Sequence, residues 1–539
     1  MNRTSSYIAV LRAFLVLCTS CFVLVLTSCD SYLDVLPDNR TEINTEEKVQ
    51  KILTSAYFTN DPLFVAEFSS DNVDDYGPSN PNTNRFVDQV YHWQDVTESD
   101  NESPEFFWED AYTCIATANL ALKSIAEMGG PTTTALSEMK GEALLCRAYA
   151  HFMLVNMFSL QYNKESSTTD LGIPYVTEME TIIGTTYERG TVAEVYEKIE
   201  KDLLEALPLI GDTHYTTYGG VAKYHFTLRA AHAFACRFYL YTEQWEKAAR
   251  YATLCLGSQP AGMLRDWQYV STMTQSSIAV CQHYIDASLN CNLLLLTGYS
   301  YMGLVFGPYR YLSKYSHGKY LAQTEDGEAM NIWGSASFYH PMSTYSATNL
   351  DKTIFWKLPY LFEYYDAVAG TGWFRTVYPA FTCDETLLNR AEAYIMMGQY
   401  NQAAQDLTTW MQNIVSTTLV LTPEAIQEFY NSVDYSYSDA RGIESTIKKH
   451  LHPKFDIGAE GEMREAMLQC VLGFRRIETL QTGQRWYDVK RYGIEIVRRV
   501  INADGVPESL TDVLRVDDPR RAIQIPLKVR TAGLEPNPR

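Results

Sequence analysis

Two stretches of this chain repeat one another across a predicted helical turn, and that repeat limits the fold more than any other feature. Phe226-Thr227 returns as Phe381-Thr382, Tyr239 as Tyr394, Gln244-Trp245 as Gln399-Tyr400, and Ala248-Ala249 as Ala403-Ala404. A helix, a short turn carrying an aromatic, and a second helix opening on paired alanines describe a helical hairpin. The alanines let the two helices approach closely, and the aromatic fills the gap at the turn. Arg147-Ala148-Tyr149-Ala150 echoes Arg390-Ala391-Glu392-Ala393 as a third, weaker copy. The spacing is irregular, so insertions interrupt the units. Helix starts support the same reading. Thr191-Val192-Ala193-Glu194 and Thr382-Cys383-Asp384-Glu385 each have the form of a capping box. After the first, Val195, Ile199, Leu203 and Leu207 keep helical spacing until Pro208. The expected fold class is therefore mostly α: tetratricopeptide-like helical pairs form a scaffold.

Residues 258–380 break this pattern. Gly, Ser and Tyr become frequent, as in Gly298-Tyr299-Ser300-Tyr301-Met302-Gly303 and Gly307-Pro308-Tyr309-Arg310-Tyr311, and helical periodicity fades. An irregular, loop-rich subdomain set on the scaffold is expected here. A second loop block, Asp71 to Trp93, is rich in Asp, Asn and Pro. Loops on a rigid frame are where binding residues concentrate. The resulting division is 1–28, 29–257, 258–380 and 381–539.

The N-terminus reads as a lipoprotein signal. Arg3 and Arg12 carry positive charge, Ala13 to Leu26 is mostly apolar, and Leu26-Thr27-Ser28-Cys29 ends the run before Asp30. The apolar stretch is too short for a stop-transfer helix. Cys29 is the expected lipidation site, and the mature body would be anchored by acyl chains rather than spanning. An ordinary signal peptide with an incidental cysteine is the alternative. No later apolar run is long enough to cross a bilayer.

The charge balance narrows the ligands. Lys plus Arg number 44 against 65 Asp plus Glu, a formal net charge of −21. That disfavours nucleic acid and anionic lipid headgroups as partners. The chain holds 11 cysteines; Cys18 and Cys21 lie in the signal segment, and outside it no C-x-x-C pair occurs, so no zinc site is expected. Cys281 and Cys291 are the close pair that a disulfide could join. Asp71-Asn72-Val73-Asp74-Asp75 offers oxygen ligands for calcium but lacks the spacing, glycine and terminal glutamate of an EF-hand. A solvated acidic loop is the preferred reading. No nucleophile elbow, H-E-x-x-H, P-loop or dinucleotide glycine pattern occurs, so no catalytic residue and no cofactor are assigned.

With these features in place, the chain resembles the SusD/RagB family of outer-membrane lipoproteins over nearly its full length. Leu33-Asp34 and Pro37 follow Cys29. Gly141-Glu142-Ala143, Arg147-Ala148-Tyr149 and Gly172-Ile173-Pro174-Tyr175-Val176 are similar to the family's first helical pair and its exit. Arg475-Arg476-Ile477-Glu478, Gly483-Gln484-Arg485-Trp486-Tyr487-Asp488, Arg491 and Gly493 carry the most specific match, with Ile523-Gln524-Ile525-Pro526 and Asn537-Pro538 at the end. Phe474, Thr482 and Leu527 depart from it. The Arg/Trp/Asp block is expected to tie the end of the chain to the core rather than to catalyse.

The resemblance implies a binding protein that captures oligosaccharides and passes them to a TonB-dependent, SusC-like transporter. It implies no enzyme activity. Peptide capture, or a repeat scaffold that binds only proteins, are the alternatives. Asp30, Asp34 and Asp38 resemble the acidic start of surface-exposed lipoproteins, which implies the outer face of the outer membrane. A sugar site wants exposed aromatic rings beside amide, carboxylate or guanidinium groups. The expected ligand residues are Asn72, Asp74, Tyr76 and Trp93 in the first loop block, and Tyr299, Tyr309, Arg310 and Trp333 in the second.

Overall fold

A computed structural model describes residues 43–179, 187–213, 215 and 222–539. The signal segment 1–28, Cys29, and Leu33, Asp34 and Pro37 lie outside them. Among the described residues no helix is long and apolar enough to cross a membrane. The residues Thr45–Arg539 form one unit.

The scaffold helices are α1 (Pro104–Glu127), α2 (Thr134–Phe158), α3 (Val192–Ala206), α4 (Leu228–Tyr241) and α5 (Trp245–Leu256). Later in the chain come α6 (Cys383–Met396), α7 (Tyr400–Ile414), α8 (Pro423–Ser432), α9 (Met463–Glu478) and α10 (Gln484–Arg491). The predicted repeat is present in detail. Thr227 caps α4 by accepting from the Ala230 N–H, and Thr382 caps α6 by accepting from the Glu385 N–H. At the two turns, the Gln244 N–H donates to the Tyr239 carbonyl at 2.9 Å and the Gln399 N–H to the Tyr394 carbonyl at 2.8 Å. The equivalent turn residues are left-handed, Glu243 at φ 58° and Gly398 at φ 72°. Glycine adopts that conformation freely, and glutamate does so at a cost in backbone strain. Ala248 and Ala403 are fully buried where the paired helices meet.

The third copy is real as well, and it shares an ion pair. Arg147 on α2 grips Asp202 on α3 with two bonds of 2.6 and 2.7 Å. Arg390 on α6 grips Asp406 on α7 with bonds of 2.7 and 2.8 Å. Thr191 and Glu194 close a full capping box at the start of α3. The second expected box is only half made. Glu385 does not return to the Thr382 N–H, because the Arg237 guanidinium of α4 takes its carboxylate with bonds of 2.5 and 2.9 Å.

Among the described residues, nine short strands make three small sheets. They are β1 (Asp74–Asp75), β2 (Asn292–Gly298), β3 (Tyr315–Ser316), β4 (Ser343–Ala347), β5 (Leu350–Ile354), β6 (Leu361–Asp366), β7 (Thr371–Thr382), β8 (Ile496–Ile501) and β9 (Pro507–Leu514). The sheet orders are β3-β1-β8-β9, β2-β7-β6 and β4-β5. Residues 258–380 are therefore less irregular than expected, since two antiparallel ribbons run through them. β7 leads directly into α6 and so roots the second sheet in the helical scaffold.

The Arg/Trp/Asp block is a buried network, as its sequence suggested. Arg475 bridges Asp488 at 2.7 Å and Glu392 at 2.6 Å, and Arg491 reaches the other Glu392 oxygen at 2.5 Å. Phe474, one of the departures from the family pattern, stacks on buried Trp410 with centroids 4.8 Å apart. Cys281 and Cys291 are both free and buried, so the disulfide considered from the sequence is not formed.

Candidate functional site

The first loop block is turned inward. The Asn72 amide donates to Glu67 at 2.9 Å, and its oxygen accepts from Arg476 at 2.9 Å. Asp74 is clasped by Arg499 at 3.0 and 3.1 Å. Tyr76 packs with Leu350 and Ile501, and its hydroxyl meets Asp351. Trp93 is 2% exposed; its indole N–H donates to the Ser69 carbonyl at 2.9 Å, and the Arg498 guanidinium lies 4.2 Å from its ring centroid. None of the four presents a surface to a ligand, which corrects the sequence expectation.

The acidic run is neither solvated nor free for calcium. Burial opposes ionisation of Asp71, yet Arg476 and Arg485 together hold its carboxyl well below the usual range. Arg485 binds it at 2.8 and 2.9 Å. Among the described residues no cluster of three His, Cys, Asp or Glu side chains could hold a metal ion.

The second block divides. Trp333 is buried against Phe338 and Phe474, with centroids 5.8 and 5.6 Å away, and lines a separate cavity of about 340 Å³ rather than an exposed surface. Tyr299 is half-buried, and Tyr309 and Arg310 are exposed. Tyr299 and Tyr309 border an aromatic surface built on the β6–β7 hairpin, most of which sequence reasoning missed, while the Arg310 guanidinium donates to the Thr348 carbonyl at 3.3 Å.

Side chains of a hairpin alternate between its two faces, and directly paired residues share a face. β6 and β7 pair Glu363 with Trp373 and Phe362 with Phe374. On one face, Tyr365 lies 5.8 Å from Trp373, and Trp373 lies 6.1 Å from Tyr299. The Arg375 guanidinium stands 4.0 Å above the Tyr299 ring and pairs with Glu363. On the other face, Tyr309 contacts Tyr360 at 5.7 Å, Tyr360 contacts Phe374 at 5.9 Å, and Phe374 contacts Phe362 at 5.2 Å. Phe362 continues to Tyr364 at 4.8 Å. Trp373 is 46% exposed and Tyr365 66%. The available signal was two aromatic runs, Phe362-Glu363-Tyr364-Tyr365 and Trp373-Phe374, on either side of a turn ending in left-handed Gly370.

Buried polar groups fix the rim of this surface. The Tyr299 N–H donates to the Thr59 carbonyl at 2.7 Å. Glu102 accepts from the Ser300 hydroxyl at 2.6 Å and the Tyr301 N–H at 2.7 Å. Burial raises the pKa of Glu102 well above the usual range and that of neighbouring Asp61 to about 7. Lys352 donates to the carbonyls of Val305 and Tyr309, and burial lowers its pKa to about 7.

Tyr309 and Tyr360 also line a cavity of about 170 Å³ that reaches inward to Gln481. A wider trough of about 820 Å³, lined by Tyr320, Tyr435, Arg441 and Glu508 among others, has only half-buried rings. The aromatic hairpin is therefore the stronger candidate for ring stacking. Large exposed apolar patches of this kind mark interaction sites.

Comparison with known proteins agrees with the fold. Residues 31–240 match the SusD-like family described as "Starch-binding associating with outer membrane". The SusD-like protein P2 of Formosa agariphila is 23% identical over 470 residues, covering 81% of each chain. A SusD superfamily structure from Bacteroides thetaiotaomicron superposes with a TM-score of 0.60 at 17% identity, covering 92% of this chain and 100% of that one. A SusD-like carbohydrate binding protein from Bacteroides vulgatus gives 0.55 at 16% identity, covering 91% and 97%. The resemblance read from the sequence is borne out: residues 31–240 match the family model, and solved SusD superfamily structures share the fold over more than nine-tenths of the chain.

Proposed function

We propose that this SusD-like chain captures oligosaccharides on the β6–β7 aromatic surface and delivers them to a TonB-dependent, SusC-like transporter in the outer membrane. One observation carries the reading. Exposed rings run in contact along both faces of a single hairpin, with Arg375 and Glu363 among them. Sugar rings present flat C–H faces that stack on aromatic rings, while their hydroxyls need charged or amide partners. The starch-binding, outer-membrane description of the matched family supports the same assignment. Residues 258–380 then form the ligand-binding part, and 29–257 with 381–539 the scaffold. Cys29 carries the lipid anchor on the extracellular side. The role is binding, with bond cleavage left to other proteins.

The test is titration of the protein with a panel of oligosaccharides, using Trp373→Ala, Tyr365→Ala and Tyr309→Ala. Each ring contributes about 0.5–1.5 kcal/mol, so each change weakens binding roughly two- to twelve-fold. Unchanged affinity in all three variants places the site elsewhere. Recovery of a large barrel protein with the solubilised chain tests the transporter.

A second reading has its own observation. β6 is the outer strand of its sheet, and among the described residues its far edge has no strand partner. An extended peptide could add there by strand pairing. Peptide binding without sugar binding would select this reading.

A further inference from the structure

We infer that the cavity beside Tyr309 and Tyr360 is an end-recognition pocket that takes one terminal ring of the captured glycan. This rests on the capture reading above and adds which part of the chain is held. The cavity holds about 170 Å³. An apolar cavity of roughly 150 Å³ accommodates benzene, a single six-membered ring. The pocket therefore takes at most one six-membered ring, a pyranose entering it with its outer substituents toward the open mouth.

Its position and its floor point to a sugar. Tyr309 and Tyr360 belong both to the exposed aromatic array and to the cavity wall, so a chain lying on the array leads into the pocket. Gln481 is one of the lining residues and is 2% exposed. Its side-chain amide nitrogen has no hydrogen-bond partner. A buried donor without an acceptor is costly and rare. The backbone spends further strain to hold this side chain in place. Gln481 sits at φ 66°, where its N–H donates to Glu67 at 2.8 Å, and the Gly483 N–H donates to the other Glu67 oxygen at 2.8 Å. Strained positions that are held this firmly cluster at binding sites. The neighbouring amine is occupied, since Lys357 donates to the carbonyls of Ile477 and Glu478. The Gln481 amide is thus a buried donor available to a ring hydroxyl or ring oxygen, with Ser277 and Gln282 elsewhere in the lining and Tyr309 and Tyr360 against the C–H faces at the mouth.

The experiment uses the folded protein with maltohexaose, cellohexaose and mannohexaose, followed by the matching polysaccharide in an affinity gel. Gln481→Met keeps the side chain's length and removes its donor. Ile278→Trp, at an exposed position lining the same cavity, fills the mouth without touching the core. Thermal midpoints confirm folding. The expected result is a loss of about five- to thirty-fold in hexasaccharide affinity in both variants, with retardation by the polysaccharide unchanged because few of its rings are ends. If neither variant weakens the hexasaccharide while Trp373→Ala does, the pocket holds only water and the inference fails, although the capture reading stands. If wild type binds neither the hexasaccharides nor the polymers, both fall together.

Discussion

Lys352 holds Tyr309 in place from below: its ammonium nitrogen donates to the Tyr309 carbonyl at 2.6 Å and to the Val305 carbonyl at 2.7 Å. One buried side chain thus ties the loop that carries a surface ring to strand β5. Replacing it with methionine keeps the volume but leaves two carbonyls unsatisfied, at a cost of about 1–3 kcal/mol. Lys352→Met should therefore lower the thermal midpoint and weaken oligosaccharide binding about as much as Tyr309→Ala. Titration of both variants decides it. Full affinity in a folded Lys352→Met protein would show that the loop needs no such tether.

Arg475 serves the fold and not the ligand. It neutralises Glu392 and Asp488, both fully or nearly buried. Removing one partner of a buried ion network leaves uncompensated charge and costs about 3–5 kcal/mol. Arg475→Met should reduce soluble yield and thermal midpoint sharply, while the fraction that folds binds sugar like wild type. A variant with normal stability and lost binding would reverse this assignment.

The scaffold was legible because its signals are local. Thr227 and Thr382 cap helices a few residues away, and the paired alanines sit within one helical turn. The inward turn of Asp71 to Trp93 was not legible. The groups that bury this polar stretch are Arg476, Arg485, Arg498 and Arg499, which lie at the other end of the chain. A run of Asp, Asn and Pro looks solvated until such partners are known. The half-made second capping box has the same cause, since Arg237 outcompetes the local N–H for Glu385. Aromatic richness between 258 and 380 was visible, but which rings face outward depends on hairpin pairing. Trp333 and Trp373 are indistinguishable by composition; one is buried against Phe474 and the other stands on an exposed strand.

Cys29 is expected to be the mature N-terminus, because small residues precede it and the hydropathy falls abruptly after it. Cys29→Ala should move the protein from the membrane fraction to the soluble fraction. Protease treatment of intact cells should degrade the wild-type chain if it faces outward. An unchanged fraction for the variant, or full protection of the wild type, would contradict these two expectations separately.

Acid should loosen the first helical pair through His151. Its Nδ1–H donates to the Arg147 carbonyl at 2.8 Å, its Nε2 accepts the Val176 N–H at 3.0 Å, and its ring stacks on Tyr175 at 3.8 Å. Both nitrogens are thus satisfied only in the neutral ring. Protonation would set an N–H against the Val176 N–H in a buried place, and burial lowers the pKa from 6.5 to about 3. Because the folded pKa lies below the unfolded one, the unfolded chain binds the extra proton first. The stability from this group is fully present above pH 6.5 and is lost progressively as the pH falls from 6.5 toward 3. By pH 4 the loss amounts to about 3 kcal/mol at 1.36 kcal/mol per pH unit. Thermal midpoints of wild type and His151→Gln, measured from pH 7.5 down to 4.5 (roughly the span over which the histidine protonates in the unfolded chain), check it. The variant should be less stable at pH 7.5, and the gap should narrow steadily on acidification. A gap that stays constant with pH would mean that His151 does not titrate on unfolding, and that its contribution is packing against Tyr175 alone.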